Sequence, residues 1–229
     1  LSDLSGGIDY EKVESARLLS SSEYDVNTSL GYISLKSTLQ TDQVLAVAYE
    51  YTYMGATYQV GEFSTDNTES TQCLYVKSLK NANNTPTMAN WEKIKKNVYS
   101  LGANNIEKTN FRLDIKYLSD SSGVYLTYLP EEQYKTTTLL KLMRLDRLDN
   151  KNQAHPNGYF DFIDGYTVDA SNGRVFLPSV EPFGNYLARV ISNTAISDKY
   201  VYQELYDSTK TVAKQMTEKN TFILSGRYQ

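Results

Sequence analysis

The chain has 229 residues, 23 Lys+Arg against 27 Asp+Glu for a net charge of -4, 20 tyrosines beside 1 Trp and 5 Pro, and a single cysteine, Cys73. That length buries a full core without staples, and one thiol excludes an intramolecular disulfide or a multi-cysteine metal cage. The acidic balance excludes a broad electrostatic footprint for nucleic acid, and neither an apolar run of membrane-spanning length nor a basic-then-apolar leader is read, so the expectation is a segment of something longer.

In chain order, SEYDVNTSLGYISLKSTL comes first: Tyr24, Val26 and Thr28 alternate with Asp25 and Asn27, Leu30-Gly31 turns, and Ile33 and Leu35 alternate with Tyr32, Ser34 and Lys36. Period two on both sides of a turn predicts a β-hairpin. TDQVLAVAYEYTYMGATYQVGEFST then puts Leu45, Val47, Tyr49, Tyr51 and Tyr53 on one face, with Met54-Gly55 turning back into Tyr58 and Val60. Together these are expected as a four-strand meander. TPTMANWEKIKKNVYSLG spaces Trp91, Ile94, Val98 and Leu101 as a helix does, with Thr87 or Asn90 as N-cap and Gly102 at C′, predicting an amphipathic helix near 88–101.

FRLDIKYLSDSSGVYLTYLP alternates Phe111, Leu113, Ile115 and Tyr117 into a Ser/Asp/Gly loop, a second kind of hairpin with a looser turn. TTTLLKLMRLDRL fits both periods: Leu140, Leu142 and Arg144 suit a strand, while Leu139, Leu142 and Met143 suit a helix. The threonine run favours strand. YTVDASNGRVFL then repeats YDVNTSLGYISL, sharing Tyr, Val, Ser, Gly and Leu at the same offsets, and Asn172-Gly173 tolerates positive φ at both central positions of a tight turn. Pro178 and Pro182 remove ladder donors and mark an edge or an exit from the sheet. YQELYDSTKTVAKQMTEKN, with Leu205, Val212 and Met216, reads as a helix or helical linker. TFILSGRYQ is a terminal strand that needs a pairing partner, expected beyond residue 229.

The fold class that follows is mainly β with one or two helices, in sandwich-like modules built from hairpins. The domains are 1–80, a first β-module of hairpin and meander; 81–200, a second β-module with the helix near 88–101 and an Asx-rich loop at 146–164; and 201–229, a helical linker and terminal strand. The two related hairpins read as a duplicated or reused building block.

Candidate chemistry is sparse. His155, the only histidine, sits in the turn-forming stretch NQAHPNG, where a solvated loop residue is the plain account and a Ser-His-Asp or Cys-His constellation has no spare base. No phosphate-cradling, dinucleotide-binding or nucleophile-elbow motif occurs. Asp146, Asp149, Asn150, Asn152, Asp161 and Asp164 offer hard oxygens of the kind calcium takes, yet from Asp149 the third and fifth positions are Lys151 and Gln153, which breaks the calcium-loop pattern. An Asx-rich turn, in which carboxylates bond nearby backbone, is weighed against a calcium site, and glycosidase-like use of two carboxylates is weaker than either. No catalytic, cofactor-binding or metal-ligating residue is assigned. The tyrosine excess reads either as strand propensity or as an exposed aromatic surface.

Several long strings carry a resemblance: GYISLKSTLQTDQVLAVAYEYTYMGATYQVGEFS, KKNVYSLGA, LLKLMRLDRLDNKN, PNGYFDFIDGYTVDASNGRVFLPSVEPFG and ELYDSTKTVAKQMTEKNTFILSGRY. Together, in order and over most of the chain, they resemble the SprA family of gliding-motility and type IX secretion proteins of Bacteroidetes. The resemblance implies a small part of a very large outer-membrane β-barrel that passes folded cargo through a lateral opening, of the size class of 36-stranded barrels. It implies as partners the rest of the parent barrel chain, a cargo-receptor shuttle barrel, a periplasmic plug protein and secreted cargo, and no cofactor, catalytic residue or nucleic acid. The expectation is a soluble insertion, not itself membrane-spanning, at the outer membrane on its cell-surface or periplasmic face.

Two functions of different class follow. In one, the segment is a non-catalytic structural part of the translocon, its tyrosine faces packed on neighbouring parts of the same chain. In the other, it is a surface-exposed module that binds glycan or a partner protein through Tyr49, Tyr51 and Tyr53. Burial of those three side chains within the segment removes the binding reading's contact surface, and an open row favours it.

Overall fold

The computed structural model describes residues 3–65 and 73–228. Its strands are β1 (Tyr24–Asn27), β2 (Tyr32–Leu35), β3 (Leu45–Val47), β4 (Tyr49–Tyr53), β5 (Ala56–Val60), β6 (Lys77–Lys80), β7 (Val98–Ser100), β8 (Arg112–Leu118), β9 (Tyr125–Leu126), β10 (Val168–Asp169), β11 (Arg174–Phe176) and β12 (Phe222–Arg227). The α-helices are α1 (Leu139–Leu142), α2 (Asn185–Ile191), α3 (Thr194–Ser197), α4 (Glu204–Asp207) and α5 (Lys210–Gln215). Every ladder is antiparallel, in sheets of two or three strands, and no barrel closes among the described residues. The mainly-β class holds, with more and shorter helices than the one or two expected. No helix among the described residues is long and apolar enough to cross a membrane.

The chain forms two compact units, Leu1–Asp25 with Ile33–Ile94, and Val26–Tyr32 with Lys95–Gln229. In the first unit β3 pairs with β6 and β4 with β5, so the expected four-strand meander is replaced by separate two-stranded ladders. The strand read through QVLAVAYEYTY breaks at Ala48, where Gly61 passes so close that an added Cβ would lie 3.2 Å from the Ala48 Cβ. Met54 and Gly55 turn β4 into β5 with φ of 50 and 80, both left-handed as a tight hairpin turn requires. Among the described residues of this unit only Ser34 and Asn90 are buried. Polar clamps hold its loops instead: the Lys80 ammonium donates to the carbonyls of Gln40, Thr41 and Gln43 at 3.2, 3.0 and 2.6 Å, and the Asn90 amide donates to Ser78 Oγ and Asn81 Oδ1 at 2.9 and 3.0 Å.

That use of Asn90 bears on the helix expected near 88–101, which does not form. Only a 3-10 turn at Trp91–Lys93 appears, Asn90 gives it no side-chain cap, and the β-favouring Val98 and Tyr99 join β7, which pairs with β11. The Asn97 amide fixes this choice by donating to the Leu177 carbonyl at 2.6 Å.

The second unit owns the core. Sheet β12-β8-β9 is centred on β8, whose Leu113, Ile115 and Tyr117 are buried in strict alternation with more open neighbours. β12 pairs with β8 over six residues, so the terminal strand has a partner inside the chain, in place of the one expected beyond residue 229. Sheet β10-β11-β7 contributes Val168 and Val175, and α2 contributes Tyr186, Leu187 and Ile191. The threonine run did not make a strand: Thr138 Oγ1 accepts the Lys141 N–H at 3.3 Å as an N-cap, and α1 buries Leu139 and Leu140. Capping chemistry overrode strand propensity there. The helix read through YQELYDSTKTVAKQ is cut into α4 and α5 because Thr209 starts a new helix, accepting from the Val212 N–H at 3.4 Å.

The repeated sequence produces a repeated structure. Each copy is a hairpin with a four-residue loop, Thr28 to Gly31 and Ala170 to Gly173, closed by a left-handed glycine with φ of 63 and 57. At the same offset in each, an Asx side chain braces the loop: Asn27 Oδ1 accepts the Leu30 N–H at 2.9 Å, and Asp169 Oδ1 the Asn172 N–H at 3.1 Å. Only Gly173 of the Asn172-Gly173 pair has positive φ, so the expected two-residue turn is corrected to this longer loop. The first tip lies against the second copy, with the Tyr32 ring 5.1 Å from that of Phe176 and the Tyr32 hydroxyl 3.4 Å from Asp169 Oδ2.

The two glycines differ in surroundings. A Cβ on Gly31 meets nothing within 4 Å, whereas one on Gly173 would lie 1.6 Å from the Ala103 carbonyl oxygen. Gly31→Ala is expected to cost about 1 kcal/mol, the left-handed penalty alone, and Gly173→Ala about 3 kcal/mol or more, because backbone must also move. Urea unfolding midpoints of the two variants measure the gap, and equal losses would contradict it.

Candidate functional sites

Three places could carry chemistry or contact: the acidic loop at 146–164, the isolated histidine and cysteine, and the tyrosine face of β4 and β5. In the loop each carboxylate is turned onto backbone. Asp146, 3% exposed, accepts the N–H groups of Asn157 and Gly158 at 2.8 and 3.0 Å. Asp161 accepts those of Arg147 and Leu148 at 2.7 and 3.1 Å, and Asp149 Oδ1 those of Lys151 and Gln153 at 2.8 and 2.9 Å. Asn150 Oδ1 accepts from the Asn157 amide at 3.2 Å, Asn152 takes a left-handed φ of 60, and Asp164 Oδ1 accepts the Ala170 N–H at 2.9 Å. Burial pushes the Asp161 carboxyl above its ordinary range despite its two donors, with the nearby Asp146 charge adding to the rise.

Asp149 and Asn157 make Asx-turns to the N–H groups of Lys151 and Tyr159, whereas Asp146 and Asp161 brace N–H groups across the loop, so side-chain oxygens satisfy loop backbone in both ways. No group of three or more His, Cys, Asp or Glu among the described residues is placed to hold a metal ion. His155 is exposed in the same loop, its N–H donating to the Gln153 carbonyl at 2.7 Å, and Cys73 is exposed in the first unit.

The tyrosine face is open. Tyr49, Tyr51, Tyr53 and Tyr58 are 46, 45, 57 and 45% exposed. Register places Tyr49 opposite Val60, Tyr51 opposite Tyr58 and Tyr53 opposite Ala56, so one face of the ribbon is aromatic and apolar while Glu50, Thr52, Thr57 and Gln59 form the other. Tyr51 and Tyr58 stack at 5.2 Å and 19°, and Tyr49 adjoins Tyr51 at 6.2 Å. The sequence brought these tyrosines to one face correctly; that the face stays uncovered is a tertiary result.

Buried and half-buried tyrosines in the second unit behave differently. Tyr134 and Tyr186 donate to the carbonyls of Ile191 and Leu142 at 2.9 and 2.8 Å, Tyr202 donates to the Ala213 carbonyl, and the Tyr206 hydroxyl accepts the Phe183 N–H at 2.9 Å. Tyr200 donates to Glu131 at 2.9 Å, and Lys199 pairs with the same carboxylate at 3.1 Å; these two donors hold Glu131 below the usual carboxylate range. Sequence reasoning passed over one further cluster, Arg112 and Arg227, which β-sheet register sets opposite each other. No local signal joins residues so far apart in the chain.

No protein-family model matches this chain, and no curated protein matches it.

Two outcomes follow. Asp146→Ala orphans two loop N–H groups and is expected to lower stability by about 2 kcal/mol, while millimolar calcium leaves the native melting temperature unchanged, since a ligand of the folded state alone would raise it. For Asp169, burial pushes the carboxyl up, but donors from Asn172 and Ser171 outweigh it and hold it below its ordinary 3.8. A depressed folded-state value means stabilisation that is full above the unfolded value and lost as pH falls through the folded one. Asp169→Asn should therefore flatten the acid limb of melting temperature as pH falls below the ordinary carboxylate range, and an unchanged limb would refute the assignment.

Proposed function

We propose that the chain is a non-catalytic structural part of a protein-secretion translocon of the SprA type, in which the first unit is completed by neighbouring parts of a longer parent chain. The observation that supports this reading is a unit whose described residues bury no apolar side chain, so that it has no core of its own. A two-stranded ribbon is marginal alone in water, and its unpaired edges accept further strands. The second unit has its own core. In this reading the segment acts at the outer membrane, on its cell-surface or periplasmic face, with the parent barrel, shuttle barrel, plug protein and cargo as partners.

The open row also supports a second reading, a surface module that binds glycan or a partner protein. Stacked, half-exposed rings at 5.2 and 6.2 Å present apolar area with hydroxyl rims, the usual content of such contacts. Tyr49→Ser, Tyr51→Ser and Tyr53→Ser together, introduced in the parent gene, separate the two. The structural reading expects the parent protein to be depleted from the outer membrane and cargo to be lost from the medium. Normal parent level and normal secretion would reject it and leave the binding module. An in-frame deletion of the whole segment asks a separate question: parent retained with cargo lost supports a direct part in transport, and both normal rejects the translocon reading.

A further inference from the structure

The ladder between β8 and β12 leaves one edge of β12 open. The Leu118 N–H donates to the Thr221 carbonyl at 2.8 Å, and the antiparallel register alternates from there, so the backbone groups of Ile223, Ser225 and Arg227 face β8. Those of Phe222, Leu224 and Gly226 point away from β8, and among the described residues nothing else hydrogen-bonds them. We propose that this edge binds an extended peptide segment as a fourth, antiparallel strand beside β12-β8-β9, with apolar residues facing inward and acidic residues facing outward.

Edge strands are commonly blunted by proline, by an inward-pointing charge or by a covering element. β12 has six residues and no proline, and only Phe222, Leu224 and Gly226 lie on the face it shares with the buried Leu113, Ile115 and Tyr117. Against Leu224 and Gly226 opens a cleft of about 190 Å³, lined also by Leu101, Phe111 and Leu113 and by Ser100 of β7. Gly226 leaves the inner face without a side chain at this rung, and no larger residue fits there: an added Cβ would lie 1.9 Å from the Arg112 carbonyl oxygen. The cleft adjoins a second unpaired edge. The Asn97 carbonyl accepts the Leu177 N–H at 3.0 Å and the Leu101 N–H donates to the Gly173 carbonyl at 2.8 Å, so the intervening Val98 and Ser100 turn their backbone groups away from β11.

Both faces of the incoming strand are specified. Residues opposite each other in an antiparallel pair share a face, so those that hydrogen-bond to Phe222, Leu224 and Gly226 point their side chains inward. There the cleft has the space of about six waters and apolar walls, which suit an aliphatic group. The alternate residues face outward. On that face β8 and β12 carry Arg112, Lys116 and Arg227 against Asp114 alone, and Arg227 is exposed and in no ion pair among the described residues. The charge complement is therefore acidic. Antiparallel order follows the ladders already present in this sheet and is the more stable pairing per residue.

The test uses the 229-residue chain and three probes: N-acetyl-Val-Glu-Leu-Glu-Val-amide, the same peptide N-methylated at Leu, and its counterpart with Lys in place of Glu. Calorimetry should show binding of the Glu peptide, and amide hydrogen exchange followed by NMR should slow at Leu224 and Gly226, with the least change at Ile223 and Ser225, which already sit in the ladder. N-methylation should weaken binding about tenfold or more, because a strand-pairing donor is lost. The Lys peptide should also bind about tenfold or more weaker, and Arg227→Glu should narrow that preference. Should the variant melt lower, the native chain still decides: raising salt from about 0.02 to about 0.5 M must narrow the preference. Equal binding of the N-methylated or the Lys peptide, a preference unchanged by salt or by a folded Arg227→Glu, or no binding of any probe at millimolar concentration would each overturn the proposal. So would a dimer of the chain alone in which the Leu224 and Gly226 amides already exchange slowly, which would assign the edge to a second copy.

Discussion

A buried tyrosine hydroxyl left without a partner costs free energy, and tyrosine hydroxyl bonds tie the parts of the second unit together. In the second unit five hydroxyls find one: the carbonyls of Ile191, Leu142 and Ala213, the Phe183 N–H and the Glu131 carboxylate. Each bond spans many residues, so each ties a helix or loop to another part of the unit while the ring fills space beneath. The Tyr117 ring, for example, meets Tyr200 edge-on at 5.0 Å and Phe222 at 5.6 Å, joining β8, β12 and the turn after α3 in one aromatic cluster. Residues forming helices of only four to seven positions are stable there because packing, not helix length, supplies the free energy.

In the first unit the tyrosines of β4 and β5 keep their hydroxyls in solvent and lay their rings against one another. Backbone ladders and polar clamps, such as the Lys80 ammonium on three carbonyls, do what burial does in the second unit. Such contacts define local geometry but remove little apolar surface from water, and apolar burial is the dominant favourable contribution to folding. One unit thus has an apolar core and the other an uncovered aromatic face.

The acidic loop illustrates how composition and geometry part company. Six oxygen-bearing residues within a short stretch resemble a hard-cation site, yet the loop has no regular ladder to satisfy its N–H groups and spends its carboxylates on them. Asp146 and Asp161 brace opposite ends of the loop, from 157–158 and 147–148, and so fix how it returns to the core at Phe160. Function and structure compete for the same lone pairs, and here structure takes them.

Period-two alternation by itself determined the strands at 112–118 and 49–60, and turn chemistry determined Met54-Gly55, because these signals are local in sequence. The repeated twelve residues likewise determined two hairpins with the same Asx brace and the same left-handed glycine, since the bracing hydrogen bonds span only three residues. Tertiary structure decided the rest. Val98–Ser100 left its helical spacing because β11 offered a ladder and Asn97 a long-range bond; Leu139–Leu142 became a helix because Thr138 capped it and the core took its leucines. The pairing of β12 with β8, and with it the meeting of Arg112 and Arg227, depends on residues more than a hundred positions apart. No local pattern encodes such a meeting, because register is set by whichever faces are buried together.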